Sequence, residues 1–175
     1  MKIQGATMAD SNPAVDNAVT KMKEKNRPNN YLFYGDECKD IECKSVAQFP
    51  GITNLEELFA VLEQCWSKET TYPSCKTEWV PNDPSYGQCA ITATLVYDMF
   101  GGSIHKINVS GGGTHYFNKL NGKYVDLTRE QFDLYDIPVS YEPNMEVARE
   151  YCGKNKNTLE RYHQLQRNII KYLKG

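Results

Sequence analysis

Apolar positions recur along this chain with two different periods. From Asn12 onward, Ala14, Val15, Ala18, Val19 and Met22 fall along one side of a helix, with Asn12 able to cap it and Pro13 suited to its first turn. A polar break around Pro28 follows, and the stretch from Tyr31 to Gly51 shows no clean period, so it reads as irregular or weakly β. Leu55, Leu58, Phe59, Leu62 and Trp66 then predict a helix over 54–67 with one buried stripe. Thr53 with Glu56, or Asn54 with Glu57, offers it a capping box. Residues 68–88 carry Pro73, Pro81 and Pro84 and read as a long loop, of the kind that is often functional in a compact domain.

The segment from Cys89 to Phe100, CAITATLVYDMF, is apolar almost all round, with Asp98 as its one charge. It predicts a helix buried in the middle of the domain and stopped by Gly101-Gly102. Strand patterns come next: Ile104, Ile107 and Val109, then 114–120 and 123–127 on either side of Asn121-Gly122, a strong hairpin turn signal. Thr128 with Gln131 can cap a short helix. Residues 144–173 read as two helices separated by 153–157. The pattern predicts an N-terminal arm with a short helix over 1–30. One α+β domain over 31–175 packs the helix opened by Cys89 on an antiparallel sheet, with flanking helices.

Composition changes this picture little. A length of 175 residues, 40% hydrophobic and 24% charged, suits one globular domain. A net charge of −2 gives no general case for binding nucleic acid or an anionic membrane. No apolar run reaches the roughly 18 residues that would span a bilayer, and the polar stretch from Met1 to Pro13 lacks the core of a secretory signal. The expected compartment is the cytoplasm. Six cysteines there are expected as free thiols: Cys38 and Cys43 have four residues between them but Cys65 and Cys75 have nine, so no second knuckle completes a zinc site. No metal or cofactor is expected.

Candidate chemistry concentrates at Cys89. A cysteine at the start of a helix gains a lowered pKa from unpaired N–H groups and the helix dipole, and the same groups can meet an oxyanion. The hairpin supplies the partner. A two-residue turn at Asn121-Gly122 pairs positions summing to 243, so Phe117 faces Asp126 and His115 faces Thr128. His115 and Asp126 are then diagonal neighbours on one sheet face, roughly 7–8 Å apart before their side chains lean together. An aspartate there can hold one imidazole nitrogen while the other faces a thiol.

The blocks YGQCAITATLVYDMFGG and THYFNKLNGKYVDLTREQF, with WSKET at 66–70 and PSYGQC leading to Cys89, closely resemble the YunG-like family of bacterial proteins over about Trp66 to Phe132. A deeper likeness joins Tyr-Gly-Gln-Cys at the head of a buried helix, followed by His and Asp on successive strands, to the transglutaminase and papain-like superfamily. That resemblance implies a papain-like or transglutaminase-like core with a Cys-His-Asp triad: Cys89 as nucleophile, His115 as base, Asp126 as orienter. This chain is smaller than those enzymes, its Cys-to-His spacing is shorter, and Gln88 adjoins the cysteine instead of preceding it by several residues.

The implied chemistry is covalent acyl transfer on a protein or peptide-like amide, as peptide or isopeptide hydrolysis or glutamine deamidation ahead of cross-linking. Trp66, Tyr86 and Gln88 are expected on the substrate side, with Ser67 and Thr70 as further candidates. The alternative is a non-catalytic protein-binding module on the same fold. The basic C-terminal helix (Lys154, Lys156, Arg161, Arg167, Lys171, Lys174) reads as a solvated face able to dock a protein partner. His105 reads as an exposed strand residue and His163 as solvated.

Overall fold

The computed structural model describes residues 11–44, 49–111 and 113–175; the polar tail over 1–10, part of the irregular 31–51 stretch and one glycine of the 111–113 run lie outside them. The first helix, α1, runs Pro13–Glu24. The Asn12 side chain accepts the Ala14 N–H at 2.8 Å, and Val15, Ala18 and Met22 are buried. Helix α2, Leu55–Cys65, starts as the capping pattern predicts, with Asn54 accepting the Glu57 N–H at 2.9 Å. Glu57 reaches back to Thr53, not to Asn54, and accepts both its N–H (2.7 Å) and its hydroxyl (2.8 Å). Helix α3 spans Cys89–Phe100.

Four strands form one antiparallel sheet: β1 Ser103–Val109, β2 Gly113–Leu120, β3 Lys123–Val125 and β4 Met145–Val147, in the order β3-β2-β1-β4. Short α4 (Glu130–Asp133) and α5 (Arg149–Gly153) flank it, and α6, Lys156–Leu173, closes the chain. The α+β architecture matches the sequence pattern. No helix among the described residues is long and apolar enough to cross a membrane.

Helix α3 is the centre of the molecule. One side shares a core with α1, α2 and α6 through Val15, Leu58, Leu95 and Leu165, so the N-terminal helix is built into the main core. Its other side meets the sheet, where Ala93 packs on Ile104 and Cys152, and the Asn118 amide donates to the Ala93 carbonyl at 2.9 Å. Leu58, Leu62, Ile91 and Leu95 are at most 1% exposed, each contributing about 1.5–3 kcal/mol by leaving water. A helix apolar on all sides has no other stable place.

The hairpin register is the predicted one. Leu120 opposes Lys123 and Asn118 opposes Val125, with Asn121 at φ 50 and Gly122 at φ 80 making the turn. Strand β3 ends at Val125, two residues early, because the Asp126 N–H donates to the Tyr34 carbonyl (2.9 Å) instead of to β2.

Four other expectations are corrected. Thr128 does not cap α4, which begins without a side-chain cap; its hydroxyl goes to Asp126 at 3.2 Å. Residues 144–173, read as two helices, begin with a strand, β4, which at three residues is too short to show a period. His105 is buried, because its register partner on β2 is Phe117 and the two rings stack at 5.8 Å. Ser103 and Asn144 each hold one of its ring nitrogens at 2.8 Å. Arg161, assigned to a solvated face, is 4% exposed, whereas His163 is exposed as expected.

Candidate active site

The approach to Cys89 is held from two sides. Thr71 donates its hydroxyl to the Tyr86 carbonyl, and the Tyr72 N–H donates to the Gly87 carbonyl at 2.9 Å. Across the gap, Gln131 accepts the Gly87 N–H at 3.2 Å and donates to the Thr128 carbonyl at 3.0 Å. Thr128 is also the residue that grips Asp126, so one short turn ties the cysteine loop to the aspartate. Gly87 sits at φ +74, and a Cβ there would lie 2.1 Å from the Thr71 hydroxyl oxygen. The Tyr-Gly-Gln-Cys motif therefore needs its glycine on steric grounds.

Cys89 opens α3. The first helical bond runs from the Thr92 N–H to the Gln88 carbonyl, and no side chain caps the helix, so the N–H groups of Cys89, Ala90 and Ile91 have no helical acceptor. His115 and the Tyr116 N–H both act on the Cys89 thiol to favour its ionised form. Cys89 is partly exposed, whereas His115 and Asp126 are each 1% exposed.

His115 Nε2 and Asp126 Oδ2 are 2.7 Å apart, leaving Nδ1 for the thiol. The ring is fixed against Phe132, edge to face at 4.7 Å between centroids. Asp126 is fully engaged: Oδ2 also accepts the Tyr141 hydroxyl (2.7 Å), and Oδ1 accepts the Thr128 N–H (3.1 Å) and hydroxyl. Tyr141 in turn accepts from Arg129 at 3.2 Å. Tyr141, Thr128 and Arg129 were not foreseen from the sequence. Tyr141 lies 15 residues beyond Asp126 with no periodic signal, although Thr128, two residues on, stands where an Asx-type turn places it.

The charges follow from this geometry. Burial would lower the His115 pKa, but the Asp126 charge and hydrogen bond outweigh it and raise it to about 10. Burial would raise the Asp126 pKa; the imidazolium, Tyr141 and Thr128 bring it below the ordinary carboxylate value. The Cys89 thiol likewise resists burial, its pKa lowered by the His115 hydrogen bond and charge and by the Tyr116 N–H. The other five cysteines move upward through burial, Cys65 to about 12, and all six are free thiols.

A thiolate–imidazolium pair is therefore present from the lowered thiol pKa upward until His115 gives up its proton near pH 10. The acid limb of Cys89 alkylation should lie well below the ordinary thiol value of about 8.5 and should move up in His115→Gln. A wild-type limb at the ordinary value would remove the ion pair from the description.

Of the three residues expected on the substrate side, two are buried and one is half-buried. Trp66 is 4% exposed and belongs to the core, its indole N–H donating to Thr92 at 3.0 Å. Gln88 is 0% exposed and its amide donates to the Ser67 carbonyl at 3.0 Å, so it braces the loop under Cys89. Tyr86 is half-buried, with its hydroxyl on Glu78 at 2.8 Å. Among the described residues no three His, Cys, Asp or Glu side chains gather in a way that could hold a metal ion.

A family model described as "YunG protein" matches residues 54–174. Over 119 residues the chain is 31% identical to a Bacillus subtilis (strain 168) protein described as "Uncharacterized protein YunG", covering 68% of this chain and 94% of that one. No solved structure matches it at a significant level. The matched region runs from the cap of α2 through α6 and so includes Cys89, His115 and Asp126, while α1 precedes it.

Proposed function

The chain belongs to the YunG family, and we propose that it is a cysteine-dependent acyl-transfer enzyme with a papain-like or transglutaminase-like core. The observation that carries this reading is the buried Asp126–His115 pair, whose remaining ring nitrogen is left for the helix-initial Cys89 thiol that His115 helps to ionise. His115 holds the thiol proton as imidazolium, and the Cys89 thiolate attacks an amide or ester carbonyl. The developing oxyanion is met by the unpaired N–H of Cys89. His115 returns its proton to the leaving amine or alcohol, giving a thioester. Water attacks that thioester, losing a proton to His115, and releases the acid with the thiol restored; an amine in place of water completes transamidation. Asp126 keeps the ring in one orientation and supports its charge. The substrate is a protein or peptide-like amide, and the setting is the cytoplasm, where thiols stay reduced.

A second reading, a non-catalytic protein-binding module, draws on one observation. Two open surface hollows among the described residues, of about 730 and 380 Å³, are not lined by Cys89, His115 or Asp126. The 730 Å³ hollow lies between Ala14 of α1, the Cys65–Trp66 end of α2, and Asn168 and Lys171 of α6, a place for a partner to dock.

Brief exposure to iodoacetamide near neutral pH separates the two. Peptide mass spectrometry should find Cys89 modified well ahead of the other five cysteines, because it alone has a lowered pKa and a histidine partner. Equal modification of all six thiols would leave the binding module as the better reading.

A further inference from the structure

Arg161 of α6 is a buried cation with no carboxylate partner among the described residues. Its Nε donates to Asn157 at 2.9 Å, one terminal nitrogen to the Thr70 carbonyl at 3.0 Å, and the other to the Thr158 hydroxyl at 3.4 Å. All three acceptors are neutral, and among the described residues no carboxylate stands within 4.0 Å of it. Arg27, Arg129 and Arg149 by contrast each have an acidic partner. A guanidinium keeps its charge at any physiological pH, and taking it out of water without a counter-ion is costly. Of its five N–H groups, these bonds leave one on each terminal nitrogen, and a carboxylate can accept two such groups from one guanidinium.

Its position links that vacancy for charge to Cys89. Thr70, which Arg161 holds, begins the Thr70–Tyr72 segment, and the Tyr72 N–H bonds the Gly87 carbonyl two residues before the nucleophile. The Tyr72 ring, 52% exposed, covers the guanidinium with its centroid 5.5 Å from Cζ. Burial draws the Arg161 pKa down, while Cys89, Tyr72 and Cys75 act on its charge in the opposite sense.

We propose that Arg161, under Tyr72, is the specificity-determining residue of the Cys89 site and binds a carboxylate carried by the acyl donor close to the carbonyl under attack. This rests on Cys89 being the nucleophile. It narrows the substrate class from amides in general to amides or esters flanked by an acidic group.

Two alkylating agents of one size test this on the intact chain: iodoacetate, which carries a carboxylate, and iodoacetamide, which does not. The ratio of their rates at Cys89, iodoacetate over iodoacetamide, should exceed by at least fivefold the ratio measured on the same thiol in the urea-denatured chain. In R161Q it should fall to the denatured value, and in R161K, which keeps the charge and loses the two-pronged donor set, to an intermediate one. Should R161Q fail to fold, R161K carries the comparison. A second arm asks which carboxylate protects Cys89 from iodoacetamide: N-acetylaspartate α-amide offers a side-chain acid, and acetylglycylglycine a chain terminus. Protection by the first assigns the site to acidic side chains, by the second to free C-termini. A native ratio no higher than the denatured one, a ratio untouched by replacing Arg161, or protection by neither compound would overturn the proposal. Slow reaction of Cys89 with both reagents would instead remove the nucleophile itself, a separate outcome.

Discussion

Cys89→Ala and His115→Ala should each abolish acylation by p-nitrophenyl acetate, and the double variant should be no worse than either. The expectation follows from how the two groups share one proton. On the proposed mechanism His115 is the main group that favours the thiolate, so either loss removes the same attacking species; in such units single losses reach about 10⁴–10⁶-fold and do not add. Asp126→Asn should cost about 10²–10⁴-fold, since the ring remains but loses its charge partner and its enforced orientation. Folding should survive in all three. Cys89 sits partly exposed at a helix start. With His115 gone, Asp126 retains Tyr141 and Thr128 as donors, and asparagine keeps the shape of aspartate. The readout is the burst of p-nitrophenolate, normalised to protein with a native circular-dichroism spectrum. A Cys89→Ala variant with the full burst would end the case for catalysis; additive losses in the double variant would mean that the two residues act separately.

Much of this site was legible because its parts obey local rules. The Asn121-Gly122 turn fixes the register, and the register puts His115 and Asp126 on one face; no long-range information is needed. Helix α3 is equally plain, since a run apolar on all sides can only be central. The burial of Trp66, expected on the substrate side, has a related reason. Trp66 extends the apolar stripe of α2, and that stripe, not proximity to the cysteine motif, decides where its ring goes. What escaped is held across the chain. Tyr141 reaches Asp126 from an irregular segment, and His105 is buried by the Phe117 ring on the neighbouring strand. Arg161 looks like one of a series of basic residues on a polar helix until Thr70 and Tyr72 close over it. Charge pattern along a helix reports its average face; a single buried arginine depends on what packs there.

Gly87→Ala should be the most damaging small substitution outside the triad, and Gly122→Ala measures how much of the damage is steric. Both glycines have positive φ, +74 and +80, so each alanine carries the backbone penalty of about 1 kcal/mol that the left-handed region imposes. They differ in what the new methyl meets. At Gly122 nothing lies within 4 Å. At Gly87 the methyl would lie 2.1 Å from the Thr71 hydroxyl oxygen and 3.0 Å from the Cys75 Cβ. Thr71 is buried and its hydroxyl holds the Tyr86 carbonyl, so it can yield only by giving up that bond. The total at Gly87 should reach about 2–4 kcal/mol, the range of overpacking combined with a lost buried hydrogen bond. Urea unfolding should therefore separate the two variants clearly. The same displacement moves Gly87, whose carbonyl is tied to Tyr72 and whose N–H is tied to Gln131, and Cys89 follows two residues later. Iodoacetamide should then react with Cys89 of the folded Gly87→Ala variant at a rate close to that of an ordinary thiol, while Gly122→Ala keeps the wild-type rate. Equal stability loss in the two variants would show that the loop accommodates a methyl freely, and an unchanged Cys89 rate in Gly87→Ala would show that the approach segment does not set the position of the sulfur.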